Sequence, residues 1–171
     1  MNTWLGISRR IDALSRWSGI VFSYLMIPLT LLIVYEVLTR SFQRPTIWSF
    51  EMSNFLYAAH FMLVAAYGLL YRSHVAIDLV SSRFSRKTQA VLSLICYALM
   101  YFPFIIVFLY YGISYSANSW QMMEKSWSIW GPPLYPIKTV IPITAVMLFL
   151  QGVSEVIKAV NILVQEKESN A

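Results

Sequence analysis

Residues Ser18 to Thr39 read SGIVFSYLMIPLTLLIVYEVLT. Twenty-two residues with one charge, Glu36, are enough to cross a hydrocarbon core of about 30 Å, which takes about 20 apolar residues in a helix. Three further stretches repeat the pattern outward from this one: Ser49 to Leu70, Gln89 to Tyr115 and Lys138 to Ala159. Together they consume most of the 171 residues and leave no soluble segment large enough to form a domain. The expected fold is an all-α integral membrane protein, a single membrane domain of four transmembrane helices plus short interfacial amphipathic helices. Little within the spans is ionisable, and intramembrane charge usually marks an ion or substrate path. The chain alone is therefore not expected to be a transporting engine, and a partner is expected.

Composition agrees. At 58% hydrophobic and 12% charged residues, the chain is far more apolar than an ordinary soluble domain. The net charge of +5 does not point to nucleic acid, because the basic residues flank the spans instead of lining one patch. They read as topology determinants. One side carries Arg9, Arg10, Arg16, Arg72, Arg83, Arg86, Lys87, Lys158 and Lys167; the other carries Arg40, Arg44, Lys125 and Lys138. Nine against four places both termini in the cytoplasm by the positive-inside rule. The lone cysteine, Cys96, lies inside the third span and has no intrachain partner. The first span is too long for a signal peptide and no small-residue cleavage pattern follows it, so it is expected to stay uncleaved.

Before the first span, Trp4, Leu5, Ile7, Ile11, Leu14 and Trp17 recur at near-helical spacing among Arg9, Arg10, Asp12 and Arg16. This predicts an amphipathic helix over about 3–16 in the cytoplasmic interface, with Trp4 and Trp17 as anchors. The alternative is a solvated tail. Pro28, Pro103 and Pro142 fall within spans, where each removes a backbone hydrogen bond and is expected to kink its helix. The loop between the second and third spans, with Val75, Ile77, Leu79, Val80 and Phe84 among charges, is a second candidate surface helix. The loop before the fourth span contains Trp130, Gly131, Pro132, Pro133, Leu134, Tyr135 and Pro136. It cannot continue a helix and should fold back at the outer interface, with Trp127 and Trp130 as anchors. Residues 165–171 are short, charged and expected to be disordered.

Four sets of residues are weighed for chemistry and are candidates for a partner interface or a structural role. Glu36 and Arg40, spaced i,i+4, can pair on one helix face. Near them are Trp48 and Glu51, the latter where a helix N-terminus favours negative charge. Arg40 and Glu51 either serve that local role or contact a partner protein. The second set is His74 and Asp78. On a helix they would share a face, which allows a proton relay, although a hydrogen-bonded turn is the preferred reading and a zinc site lacks its third and fourth ligands. The third is His60, deep in the second span. His60 and His74 lie about 21 Å apart along a helix, as stacked haem ligands would, but a bis-His haem needs histidines on another helix and the chain has two in all. A neutral His60 bonded to a neighbouring helix is preferred. The fourth set is Pro133, Pro136 and Lys138 at the entry to the last span. No Gly-rich phosphate loop, intramembrane carboxylate pair or nucleophile-base pair is present. Nothing speaks for an enzyme, and no cofactor or metal is expected.

The order and spacing of Arg40, Trp48, Glu51, Gly68, His74, Asp78 and the Pro133, Pro136 and Pro142 run, set on a four-helix hydropathy profile, resemble the small membrane subunit of TRAP transporters, the DctQ-like family. The resemblance covers roughly Ile11 to Ile162. It implies a three-part importer in the bacterial inner membrane. A periplasmic substrate-binding protein captures an organic acid, a large multi-spanning subunit moves it with sodium, and the small subunit anchors the large one. Because the sequence ends in a short charged tail, the large subunit is expected to be a separate chain. Membrane lipids complete the expected partners. The competing expectations are an assembly or regulatory membrane protein unrelated to transport, and a small homo-oligomeric channel or exporter.

Overall fold

A computed structural model describes residues 2–42, 45–71 and 86–169. Helices α1 (Asn2–Ser23), α2 (Met26–Phe42) and α3 (Ser49–Leu70) are followed by α4 (Arg86–Cys96), a π-helical turn (Tyr97–Tyr101), α5 (Phe102–Gln121), the single turn α6 (Tyr135–Lys138) and α7 (Val140–Ser169). No strand is present among the described residues. Four helical runs are long and apolar enough to cross a membrane: Trp4–Phe42, Ser49–Leu70, Lys87–Gln121 and Tyr135–Gln165. The chain is thus an all-α protein with four membrane-length helices.

The prolines explain where these runs are interrupted. Pro28 has no N–H and its ring crowds the carbonyl four residues earlier, and the break between α1 and α2 falls there, at Tyr24 and Leu25. The freed carbonyls are taken up by tighter bonds, Leu25 N–H to Phe22 O at 3.1 Å and Ile27 N–H to Tyr24 O at 3.1 Å. Pro103 leaves the Leu99 carbonyl without its usual donor, and the helix widens into the π turn around that position. Pro142 falls in the first turn of α7, where a missing N–H costs little, and the interruption lies before it at Thr139. Helix α1 runs on through the expected boundary at 16–18 to Ser23. At the other end α7 continues to Ser169, into the segment expected to be disordered, as the helix-favouring Gln165, Glu166, Lys167 and Glu168 allow.

Helix α7 is the centre of the bundle, packing against α1, α3, α4 and α5, while α2 packs along α3. Its position follows from its surface. Ala145, Gln151, Ser154 and Ala159 are small or polar residues buried along its length. Among the described residues the buried set holds ten polar or charged side chains against seven apolar ones. Lipid tails are as apolar as leucine, so burying leucine between helices gains little; close approach of small residues and interhelical hydrogen bonds hold the bundle instead. Gly152 lets the Tyr101 ring lie against α7, with the Tyr101 hydroxyl donating to Leu148 O at 2.8 Å.

Candidate functional site

At the end of the bundle where α2 meets α3, Arg40 Nε donates to Glu36 Oε1 at 2.8 Å, the i,i+4 pair that the spacing allows. Glu36 Oε2 also accepts from Thr46 Oγ1 at 2.5 Å, which ties the end of α2 to the loop before α3. Trp48 stacks on Tyr35 with ring centroids 6.1 Å apart. Glu51, in the first turn of α3, reaches further. Its carboxylate accepts from Ser126 and from Ser128 Oγ, the latter at 2.7 Å, and so fastens the loop between α5 and α6 to α3.

That loop folds back on itself. Leu134 N–H donates to Glu124 O and Ser126 N–H to Pro132 O, both at 2.9 Å, with Gly131 at φ 59° supplying the left-handed residue of the turn. Pro133 pairs with Lys125 in an isolated antiparallel bridge, and Pro136 lies in the first turn of α6. Lys138 Nζ sits 2.5 Å from Glu124 Oε2 and 4.1 Å from the centre of the Tyr115 ring. Trp127 and Ile129 stand out from the lobe fully exposed, and Trp130 lies at the border of exposure.

The Lys138 ammonium beside Glu124 holds that carboxyl below its ordinary value of 4.5. A depressed folded-state pKa contributes stability that is complete above the unfolded value and is lost as pH falls through the folded one. The protection of residues 122–134 against hydrogen exchange, taken relative to the intrinsic rate at each pH, should therefore be constant at neutral pH and fall below about pH 4.5. In Glu124→Gln that acid step should vanish. An acid step of equal size in the variant would exclude Glu124 as its source.

His60 is half-buried in α3, and its Nδ1 lies 3.0 Å from Phe22 O. A carbonyl oxygen only accepts, so Nδ1 carries the proton. The bond is a second one to a carbonyl at the α1–α2 break that already accepts from Leu25 N–H, and it ties α3 to that break. His74 and Asp78 lie outside the described residues. Trp4 and Trp17 are both exposed on α1.

A second polar constellation, between α1 and α7, escaped the sequence reading. Ser8 Oγ meets Ser154 Oγ at 2.7 Å, and Ser15 Oγ donates to Gln151 Oε1 at 2.7 Å. Asp12 accepts from Ser154 Oγ at 2.7 Å, from Gln151 Nε2 at 3.1 Å and from Lys158 Nζ at 2.8 Å. Lys158 also reaches Glu155 Oε1 at 2.6 Å. Glu155 is only 7% exposed, so an acidic side chain is buried between the helices at this end of α7. Lys158, read from sequence as a topology charge, is the centre of an interhelical ion cluster. The signal was present as Gln151, Ser154, Glu155 and Lys158 on one face of an otherwise apolar span.

The carboxylates of Asp12, Glu36, Glu51, Glu124 and Glu155 are thus engaged by partners within the chain. The arrangement locks helices and a loop together. No curated protein matches the chain. Residues 29–161 match the family described as tripartite ATP-independent periplasmic transporters, DctQ component. That match spans most of the four-helix region, and the chain belongs to the DctQ component family of tripartite ATP-independent periplasmic transporters.

Proposed function

We propose that this chain is the small membrane subunit of an importer that brings a small organic acid into the cell with sodium, and that it anchors a separate large transport subunit in the inner membrane. The observation that carries this reading is the internal pairing of His60, Gln151 and the carboxylates named above. A substrate anion or sodium ion crossing through the chain would need fixed polar groups or broken-helix termini near the midplane. The polar groups deepest in these spans, His60 and Gln151, are bonded within the chain. The carboxylates of Asp12, Glu36, Glu51, Glu124 and Glu155 are occupied as well.

Apolar surface supports a scaffold. Helix α2 leaves Leu31, Val34 and Leu38 exposed along one side, and α5 leaves Phe104, Val107 and Tyr111 exposed. Such faces suit a neighbouring membrane subunit or lipid. The excess of basic residues on one side supports cytoplasmic termini. The periplasmic binding protein and the large subunit are the proposed partners, with recognition of the acid assigned to them.

Reconstitution tests the proposal. Proteoliposomes holding the large subunit and binding protein should take up the acid poorly under a sodium gradient, and adding this chain should restore flux. Sodium-driven uptake by this chain alone would sink the scaffold reading, and full rates without it would show that the anchor is dispensable.

A further inference from the structure

The outward side of α1 carries a feature that the transport reading does not use. Arg9, Ala13, Arg16 and Ile20 follow one another at i, i+4, i+7 and i+11, which places them on a single face two turns and more in length. With Asp12 and Trp17 they line a shallow groove of about 400 Å³. Both guanidinium side chains are exposed, and Ala13 gives the groove a small floor between them. Their Cα atoms are seven residues apart, about 10.5 Å along the axis, a gap that two long arginine side chains can close from either side. Asp12 would oppose an anion, but its carboxylate is held by Lys158, Ser154 and Gln151. The two arginines outweigh the single net negative charge of the Asp12, Glu155 and Lys158 cluster behind them, so the groove keeps a positive potential.

Its surroundings belong to the membrane. Trp4 and Trp17, both strongly exposed, bracket the arginines along the helix, as aromatic side chains do at headgroup depth. Ile20, 48% exposed, continues the stripe towards the apolar part of the run. A planar guanidinium bonds a phosphate through two parallel N–H groups, and a basic groove with an apolar continuation suits a phosphodiester headgroup above its acyl chains. We propose that this groove is a binding site for the headgroup of an anionic phospholipid. The site is a property of α1 itself and stands whether or not the transport reading holds.

Native mass spectrometry of the purified full chain, titrated with phosphatidylglycerol or phosphatidylcholine of matched acyl chains, tests the site. Wild type should retain phosphatidylglycerol in preference to phosphatidylcholine. Arg9→Gln or Arg16→Gln should each weaken that retention about fivefold, and the double variant about thirtyfold. Arg10→Gln, which removes an equal charge outside the groove, should leave it unchanged. Arg16→Lys should fall between wild type and Arg16→Gln, since it keeps the charge and loses the fork. Equal retention of the two lipids by wild type would overturn the proposal without any variant. So would an equal loss in Arg10→Gln, or displacement of phosphatidylglycerol by millimolar inorganic phosphate, which would make the site one for free anions.

Discussion

Lys158→Met should be the most damaging of the simple substitutions in the bundle, lowering stability by about 2–3 kcal/mol. Its ammonium lies 2.8 Å from Asp12 Oδ2 and 2.6 Å from Glu155 Oε1. Two carboxylates already share one cation, so removing it leaves two negative charges facing each other between packed helices. Breaking a fully buried pair costs about 3–5 kcal/mol; the Lys158 side chain is 31% exposed, and solvent screening brings the expectation below that range. Thermal unfolding of the detergent-solubilised chain would measure it, and limited proteolysis should find α1 released first. Neutralising the whole cluster, with Lys158→Met, Asp12→Asn and Glu155→Gln together, should recover most of the loss, because the Gln151 and Ser154 hydrogen bonds can persist. If Lys158→Met alone unfolds like wild type, the cluster does not hold α1 to α7.

Gly19→Ala should cost about 2 kcal/mol, although alanine is the better helix former. A β-carbon at Gly19 would come within 2.3 Å of both Cβ and Cγ of Tyr67. Those atoms lie close to the α3 backbone, so the clash cannot be relieved by swinging the far end of a side chain; the two helices must separate. Gly6 supplies the internal comparison on the same helix. A β-carbon there meets nothing within 4 Å, and Gly6→Ala should be neutral or stabilising by up to about 1 kcal/mol. Opposite signs for the two substitutions in the same unfolding assay are the expected result. Equal tolerance would mean that α1 and α3 are not in the close contact described.

The local part of the candidate site was legible because it depends on spacing. Glu36 and Arg40 are one turn apart on one helix, and any helix through them brings them together. The fold-back of the loop before the last span was equally legible, since Gly131, Pro132 and Pro133 leave a helix no way to continue. Glu51 was only half legible. Its place at a helix N-terminus could be read, whereas Ser126 and Ser128 lie 75 and 77 residues away and have no local signal. Asp12 and Lys158 are 146 residues apart, and each alone resembles an ordinary interfacial charge.

Hydropathy and residue order are properties of the linear chain: the first determined the membrane class and the four helices, and the order and spacing of Arg40, Trp48, Glu51, Gly68, His74, Asp78 and the Pro133, Pro136 and Pro142 run carried the likeness to a transporter subunit. Helix type and length follow from the bilayer, which requires every backbone polar group to be satisfied within the span. Tertiary structure alone decided which face of each helix turns inward. In α1 the inward face is the polar stripe of Ser8, Asp12 and Ser15, while Trp4, Leu14 and Trp17 face out. In water the apolar face of such a helix would seek the core. In a lipid-facing bundle the tails solvate Trp and Leu well, and the groups that need partners are the hydroxyls, amides and charges, which find them on α7.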